Sequence, residues 1–467
     1  MPALFATHAL LPDGWVHNAR VAIARDGTIA AITPETRRKP GDSAVHLLMP
    51  SFVNAHCHAF QRAMSGLTQT AGPGRDDFWT WREVMYGFAA RTTPRLMEAI
   101  AAQAYVEMLE GGYGHVVEFH YLHHGADGAK PLAMAGAIIR AAQKTGIGLT
   151  LVPVLYQQGG FDRPLKPGQR PFHLETRAFV DLIKALRAKA GASKTAPFNV
   201  GFNIGASFHS LRAVAPDVMK SCLAELRATD PHLPIHIHAA EQTGEVDDCV
   251  AALAMRPVDY LLKKLGAGAD WTLVHATHMT PDETAALAKS GAVAAVCPTT
   301  EGDLGDGFFP MAAYLDAGGL LAVGSDSNVC LSPFTELRQL EWSQRLLERR
   351  RLVAASREGE HAGARLVRAA LAGGARAASI PSGHIAIGHR ADLIGYAQDD
   401  AVFGAHAGDA LLDALVLGTN APAPALAVVA GRIVRRNGRH KDAAQIRKAY
   451  AAALRQLTQI PSSRKKR

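Results

Sequence analysis

The stretch HLLMPSFVNAHCH, residues 46–58, puts two histidines directly after an apolar run that is typical of a buried strand. His56 and His58 are two residues apart, and side chains with this spacing lie on the same face of an extended strand. Two imidazoles on one face can bind a single metal ion. Exposed strands carry histidine pairs as well, so this stretch alone leaves a metal site and a polar strand surface equally open.

Seven further apolar segments have the composition of buried strands, and helix-like patterns lie between them. The strand-like segments are residues 115–122, 149–157, 198–207, 233–241, 271–278, 291–300 and 320–328. With the first stretch they predict eight strands alternating with helices, which is typical of a (β/α)8 TIM-like barrel of the α/β class. An open doubly wound sheet is the alternative, but no Gly-x-Gly-x-x-Gly motif follows a strand.

Short β-prone segments punctuated by glycine and other turn residues flank this barrel on both sides. They predict a small β-sandwich domain built from both termini. We therefore assign residues 1–48 and 381–445 to the sandwich and residues 49–380 to the catalytic barrel. Residues 446–467 are predicted to form a C-terminal helix and a basic tail.

The composition is that of a soluble globular protein, with 48% hydrophobic and 20% charged residues in a chain of 467. No apolar run is long enough for a membrane span, and the N-terminus lacks a signal-peptide pattern, so we expect a cytoplasmic protein without a membrane partner. The formal net charge is +8, of which residues 464–467 (RKKR) supply +4. A basic tail can bind nucleic acid, but a solvated chain end is the simpler interpretation, and no basic stripe with interleaved aromatics predicts a nucleic-acid partner. Five cysteines without a Cys-x-x-Cys pair argue against a disulfide framework and a thiolate zinc site.

Polar residues at the carboxyl ends of barrel strands are the candidates for chemistry. Beyond the first stretch they are His238 and Glu241 after one strand, His275 and His278 after the next, and Asp326 after the last. His236 lies deeper in its strand and is interpreted as a core histidine. Three histidines and a carboxylate suit a zinc-like ion with an open position for water, although iron and manganese fit the same ligands.

Four motifs then follow one another in a recognisable order: NAHCH (54–58), HAAE (238–241), VHATH (274–278) and GSDS (324–327). In them the chain resembles the amidohydrolase superfamily, in its cytosine-deaminase and chlorohydrolase-like branch. That resemblance implies metal ligation by His56, His58, His238 and Asp326. It also implies catalytic roles for Glu241, His275 and Asp326, the first two as proton shuttles. Ser51 stands where the family usually has glycine.

The number of metal ions follows from a missing residue. Many relatives hold two metals bridged by a carboxylated lysine on the fourth strand, but FNVGFNIGASFHS (198–210) contains no lysine. The resemblance therefore implies one divalent ion, with Zn²⁺ the first choice. Members of this branch with a single metal are largely deaminases.

Residues that select the substrate are expected on the loops above the metal. Arg82 and Arg212, together with tyrosine and histidine side chains, predict an anion site, because guanidinium groups bind carboxylates through two parallel hydrogen bonds. This favours an acidic substrate over a neutral nucleobase. Arg62 is the weaker candidate of the adjacent pair Gln61 and Arg62, and the end of the second strand also offers Glu118 and His120.

The strings around these residues, among them NAHCHAFQRAM, EFHYLHH, SFHSLRAV and CPTTEGDLGDG, sharpen the resemblance. They are similar to those of the superfamily members that deiminate N-formimino-L-glutamate in histidine degradation, giving N-formyl-L-glutamate and ammonia. By resemblance, the substrate-binding residues are Gln61, Arg82, Tyr121, His209 and Arg212, the substrate is a small dicarboxylate, and the protein is a homodimer. CPTTE departs from the Asn-containing CPxSN of the wider branch. The alternatives are a nucleobase, nucleoside or S-adenosylhomocysteine-type deaminase, and a metal-binding relative without activity.

Overall fold

The computed structural model describes residues 3–72, 74, 76–192, 202–399, 401–418 and 420–459. The basic tail at 464–467 and residues 198–201 of the predicted fourth strand lie outside this part of the chain. Within it, no helix is both long enough and apolar enough to cross a membrane.

The strands are numbered in chain order. They are β1 (Ala3–Leu11), β2 (Gly14–Ile23), β3 (Ile29–Thr33), β4 (Ser43–Pro50), β5 (Phe52–Cys57), β6 (Tyr113–His120), β7 (Gly148–Leu155), β8 (Phe202–Ile204), β9 (Ala206–Phe208), β10 (Ile235–Ala239), β11 (Trp271–His275), β12 (Val293–Val296), β13 (Leu320–Val323), β14 (Leu393–Tyr396), β15 (Leu426–Val429), β16 (Arg432–Arg436) and β17 (Arg439–His440).

The helices follow the same numbering. They are α1 (Phe78–Ala89), α2 (Pro94–Gly111), α3 (Pro131–Thr145), α4 (Thr176–Ala192), α5 (Pro216–Arg227), α6 (Thr243–Leu253), α7 (Pro257–Leu265), α8 (Pro281–Ser290), α9 (Pro298–Leu304), α10 (Met311–Asp316), α11 (Pro333–Glu348), α12 (Ala362–Ala378), α13 (Ala410–Asp413) and α14 (Ala443–Thr458). Several of them, such as α2 and α8, begin at a proline and end before a glycine in the left-handed conformation, the usual asymmetry of helix termini.

The barrel consists of parallel strands in the order β5, β6, β7, β9, β10, β11, β12 and β13, with β8 paired to β7. It closes where β13 returns to β5, through a parallel bridge between Cys57 and Asp326. Gly324 permits this approach, since a Cβ there would lie 2.8 Å from the backbone nitrogen of His56. Strands such as β5, β6 and β11 are buried along their whole length, as expected for parallel strands covered by helices. The predicted α/β barrel is confirmed.

Both termini contribute to one separate sheet, in the order β17, β16, β15, β14, β4, β1, β2 and β3. Its pairings are antiparallel except that of β1 with β4. Apolar residues from both halves, including Leu4 and Val428, pack into a core distinct from that of the barrel. The predicted β domain from both ends of the chain is thus present, whereas its assigned boundaries stay a prediction. Helix α14 leaves this domain and packs back on α2 of the barrel, where the Tyr450 hydroxyl donates a hydrogen bond to the carbonyl of Arg62 at 3.0 Å.

Candidate active site

Three imidazoles meet at the carboxyl end of the barrel, where β5 and β10 end. The Nε2 atom of His56 lies 3.1 Å from Nε2 of His58 and 3.1 Å from Nε2 of His238. Asp326, just after β13, places Oδ1 3.2 Å from Nε2 of His58 and 3.5 Å from Nε2 of His56. The four side chains that the sequence suggested as ligands therefore converge on one point, and all are buried.

Hydrogen bonds on the far side of the rings fix two of the tautomers. Nδ1 of His58 donates to the carbonyl of Phe119 at 3.0 Å, and Nδ1 of His238 donates to the carbonyl of His209 at 2.9 Å. Each Nε2 is then left with a lone pair directed at the centre of the cluster. Lone pairs at 3.1 Å repel one another, unless a cation lies between them.

Burial keeps these rings in the form that binds metals. It lowers the pKa of His56 to about 3 and that of His238 well below its usual range. Burial alone would raise the pKa of Asp326, but the His56 and His58 imidazoles beside its carboxylate hold that pKa well below its usual value. Neutral imidazoles and an ionised carboxylate are the donor set of a catalytic zinc-type site, so the residues fit a divalent ion.

A polar network holds the end of β13 against β5. Asn54 donates from Nδ2 to Ser325 Oγ at 2.6 Å, and its Oδ1 accepts from the backbone nitrogen of Ser325 at 3.0 Å. Asn328 donates from Nδ2 to the carbonyl of His58 at 2.9 Å. These bonds fix the backbone on both sides of Asp326, and hence the spacing of the ligand cluster.

His275, at the end of β11, lies beside the cluster with carboxylates around it. Its Nε2 is 3.7 Å from Oε1 of Glu241 and 3.8 Å from Oδ2 of Asp326, whereas its Nδ1 is 3.2 Å from Oε1 of Glu301. Burial opposes a charge on this ring, but Glu241, Glu301 and Asp326 together raise the pKa of His275 to about 10. Nε2 of His275 can therefore exchange a proton with either of two carboxylates, those of Glu241 and Asp326.

The backbone is strained where these side chains leave the strands. His275 and Asp326 have φ values of 69° and 43°, and Ala240 has a φ of 53°. Left-handed conformations are unfavourable for residues other than glycine, and they persist at functional sites where the surrounding structure imposes them. The strained positions of His275 and Asp326 thus coincide with the strand ends that carry the candidate catalytic side chains.

A narrow cavity opens above the cluster, and its wall includes the residues that the sequence suggested for substrate binding. These are Gln61, Arg82, Tyr121, His209 and Arg212. The Gln61 amide donates to the Tyr121 hydroxyl at 2.7 Å, and its Oε1 has no partner among the described residues. Arg82 projects from α1 over the Trp79 ring at 4.4 Å, and no acidic group of the described chain pairs with it.

Arg212 differs from Arg82 because it contacts the catalytic candidates. Its Nη2 lies 3.8 Å from Oε2 of Glu241, and its Nε is buried without a partner among the described residues. Burial opposes its charge, yet Glu245 and Glu241 raise the pKa of Arg212 above its usual value. Burial and the nearby Arg212 guanidinium lower the pKa of His209 well below its usual range, so that ring is neutral. The cavity thus has two guanidinium groups on one side and the ligand cluster on the other.

Comparison with known protein families agrees with this geometry. A sequence model of the amidohydrolase family matches residues 47–434, which span the barrel and most of the C-terminal β domain. The chain belongs to the amidohydrolase family. A second model, described as formimidoylglutamate deiminase HutF, N-terminal domain, matches residues 1–45.

Sequence identity to individual relatives shows which members of the amidohydrolase family the chain is similar to. It is 44% identical to a formimidoylglutamate deiminase from Pseudomonas aeruginosa, covering 98% of this chain and all of that one. A 5-methylthioadenosine/S-adenosylhomocysteine deaminase from Halobacterium salinarum is 30% identical over 82% of this chain and 81% of its own length. The resemblance to the formiminoglutamate deiminases is therefore confirmed.

Solved structures of amidohydrolases share the whole architecture. An amidohydrolase from Brucella melitensis superimposes with a TM-score of 0.90 at 40% identity, covering 98% of this chain and all of that one. An adenosine deaminase from Xanthomonas campestris, with bound zinc, superimposes with a TM-score of 0.77 at 20% identity, covering 98% of each chain. The second likeness concerns the fold alone.

Other polar residues near the strand ends lie away from the ligand cluster formed by His56, His58, His238 and Asp326. Arg62 pairs with Glu107 at 2.6 Å, and His236 bonds to the carbonyl of Ala377 at 2.9 Å as a core histidine. His278 bonds to the carbonyl of Asp306 at 2.8 Å. The remaining two candidates, Glu118 and His120, are buried and do not line the cavity.

Other residues of the amidohydrolase site had been missed. Tyr86 and Tyr156 line the cavity, and the hydroxyl of Tyr86 is buried without a partner among the described residues. Tyr156 directly follows β7, so its position at a strand end was the signal that would have found it. Glu301 also went unassigned, although it belongs to the motif CPTTE that departs from the wider branch.

Proposed function

We propose that this chain hydrolyses the formimino group of N-formimino-L-glutamate, releasing ammonia and N-formyl-L-glutamate in histidine degradation. Membership of the amidohydrolase family and 44% identity to a formimidoylglutamate deiminase support this activity. The observation in the structure that carries it is the pair of buried guanidinium groups of Arg82 and Arg212 beside the ligand cluster.

The charges of the cavity match those of this substrate. At neutral pH the substrate has two carboxylates and a basic formimino group. Arg82 and Arg212 bind the two carboxylates, and bidentate contacts of this kind fix orientation as well as charge. The formimino end then points towards Glu241, His275 and Asp326, where carboxylates favour a cation. A neutral nucleobase would leave the buried Arg82 guanidinium without a counter-charge, which is costly.

His56, His58, His238 and Asp326 would hold the divalent ion, for which we propose a single Zn²⁺. When bound, such an ion acts as a Lewis acid and lowers the pKa of water at its open position. No lysine of the described fourth strand is available as a bridge to a second ion, since β8 and β9 contain none.

The proton transfers are assigned to three side chains. Oδ2 of Asp326 accepts the proton of the attacking water, and the protonated Nε2 of His275, 3.8 Å away, relays protons between Asp326 and Glu241. Glu241, with Oε1 3.7 Å from the same Nε2, carries a proton to the formimino nitrogen, which leaves as ammonia. Gln61, Tyr121 and His209 line the space between and are proposed to hydrogen-bond the substrate.

We further propose that the protein acts in the cytoplasm as a homodimer, without nucleic-acid or membrane partners. The proposed activity needs only a small dicarboxylate and water. Light scattering on the purified protein measures its mass directly, and a monomeric mass would contradict the dimer.

The test of the function is ammonia release from a substrate panel by one metal-analysed preparation. The panel contains N-formimino-L-glutamate, cytosine, guanine, adenosine and S-adenosylhomocysteine. We expect turnover of the first compound and one zinc ion per chain. Turnover of a nucleobase or nucleoside with none of N-formimino-L-glutamate would contradict the proposal.

A further inference from the structure

Glu301 is a buried carboxylate whose position is fixed by the backbone around it. It lies in the first turn of α9, directly after β12, and its Oε1 accepts a hydrogen bond from the backbone nitrogen of Cys297 at 2.8 Å. The backbone nitrogen of Glu301 in turn bonds to the carbonyl of Cys297 at 2.8 Å. Cys297 therefore holds Glu301 by its side chain and by its backbone, much as in a capping box.

The same oxygen faces His275. Oε1 of Glu301 lies 3.2 Å from Nδ1 of His275, and both side chains are buried. Since Oε1 already accepts from the Cys297 N–H, it is an acceptor towards His275 as well, so Nδ1 carries the proton. Nε2 is then the atom that gains and loses a proton, and it faces Glu241 at 3.7 Å and Asp326 at 3.8 Å.

We propose that Glu301 is a positioning residue for the reaction, holding His275 in the tautomer and orientation in which Nε2 exchanges protons with Glu241 and Asp326. This inference deepens the proposed function and rests on it. His275 needs such a support because its own backbone is strained, with a φ of 69° followed by 49° at Ala276. Among the described residues, Glu301 is the hydrogen-bonding partner of this imidazole, whose Nε2 has none.

A metal ion is the other possible occupant of this corner. One atom each of His275, Cys297 and Glu301 lie within 4.8 Å of one another. Burial raises the pKa of the Cys297 thiol well above its usual value, so it keeps its proton and is a poor ligand. The carboxylate oxygen is already engaged with two donors. The geometry therefore favours a hydrogen-bonded support over a second ion.

Two substitutions distinguish the hydrogen bond between Glu301 and His275 from the packing of the Glu301 side chain. Glu301→Gln keeps an oxygen acceptor, and the Cys297 N–H directs that oxygen to the position of Oε1. Glu301→Leu has a similar size and no acceptor. Glu336→Leu is the matched control, because Glu336 is equally buried and bonds Thr299 of the same helix at 2.9 Å without contacting His275.

We expect Glu301→Leu to lower kcat by about 100-fold or more, the contribution of an oriented acid–base group, with KM changed by less than about threefold. Glu301→Gln should recover most of kcat, and Glu336→Leu should keep the kcat of the unaltered chain even if its Tm falls. Metal content, measured on each variant, should stay at the level of the unaltered chain. Equal losses in Glu301→Gln and Glu301→Leu, a full kcat in Glu301→Leu, or a second ion lost with Glu301 would each overturn the inference.

The unaltered chain on the substrate panel tests the proposed function separately. If it deiminates N-formimino-L-glutamate and Glu301→Leu does so equally well, only the role of Glu301 fails. If it acts on another compound of the panel, the proposed function fails, and the variants are then compared on that compound.

Discussion

Replacing Arg82 with methionine should raise KM for N-formimino-L-glutamate by about 10- to 150-fold while kcat stays within a few-fold. The Arg82 guanidinium is buried against Trp79 and pairs with no acidic group of the described chain, so we expect a substrate carboxylate to be its charge partner. A hydrogen bond to a charged group contributes about 1.5–3 kcal/mol. At about 1.4 kcal/mol for each factor of ten, that range gives the expected change in KM.

Arg212→Met should behave differently, because the Arg212 guanidinium also touches Glu241 at 3.8 Å. Its loss removes a proposed contact to a substrate carboxylate and also removes the guanidinium beside Glu241. We therefore expect kcat and kcat/KM to fall together, each by about tenfold or more, which is the pattern of an interaction that matters in the transition state.

Steady-state ammonia release from preparations of equal metal content measures both variants. Arg62→Gln is the matched control, since the Arg62 guanidinium pairs with Glu107 at 2.6 Å and lies outside the cavity. Formimino derivatives of 4-aminobutyrate and of 2-aminobutyrate each lack one carboxylate. Against one of them, Arg82→Met should lose little relative to the unaltered chain, because the contact is already missing.

Three results would refute this reasoning. KM could stay unchanged in Arg82→Met, Arg62→Gln could be as impaired as Arg82→Met, or Arg82→Met could lose equally on the parent substrate and on both analogues. The last result would mean that Arg82 supports the cavity wall without binding a carboxylate.

The remaining predictions concern the ion, the buried carboxyl and the cavity. Chelation should abolish activity and added Zn²⁺ restore it, and elemental analysis should find the ion lost in His58→Ala but kept in His236→Asn; equal retention in both would contradict the ligand assignment. Burial raises the pKa of Glu336 to about 8 from its usual 4.5, so its neutral form favours folding below pH 4.5 and that stability is lost as pH rises through 8. Glu336→Gln, which stays neutral, should therefore gain in free energy of unfolding relative to the parent between pH 5 and 8 in denaturant titrations; a constant difference would refute the titration. Tyr86→Phe should raise KM up to about tenfold without lowering Tm, because the lost hydroxyl has no partner in the described chain; an unchanged KM would remove Tyr86 from the binding site.

The barrel was predictable because its strands have a local sequence pattern, an apolar segment followed by polar residues. A fully buried strand such as β12 is an uninterrupted apolar run in the sequence, and polar residues begin after its end. The β domain was predictable only in outline. Nothing local shows that β1 pairs in parallel with β4, or that α14 returns to α2, since both depend on contacts between distant segments.

The site was predictable to the extent that its residues sit directly at strand ends. His56, His238 and Asp326 follow from that rule, and the barrel geometry brings them together. Tyr86 does not follow from that rule, because it lies in α1, a helix that is not at the end of a barrel strand. Glu301 lies just inside a helix after β12, where a first-turn carboxylate is normally interpreted as a cap, and it does serve as one.

Closure of the barrel and assembly of the ligand cluster are the same structural event. The backbone nitrogen of His58 bonds to the carbonyl of Asp326 at 3.0 Å, and the nitrogen of Asp326 bonds to the carbonyl of His56 at 3.0 Å. These bonds join the last strand to the first, and they run between the residues proposed as ligands. The spacing of the imidazoles and the carboxylate is thus set by main-chain pairing, with Gly324 allowing the two backbones to touch. The orientations of the His58 and His238 rings are then set by the backbone carbonyls to which their Nδ1 atoms donate hydrogen bonds.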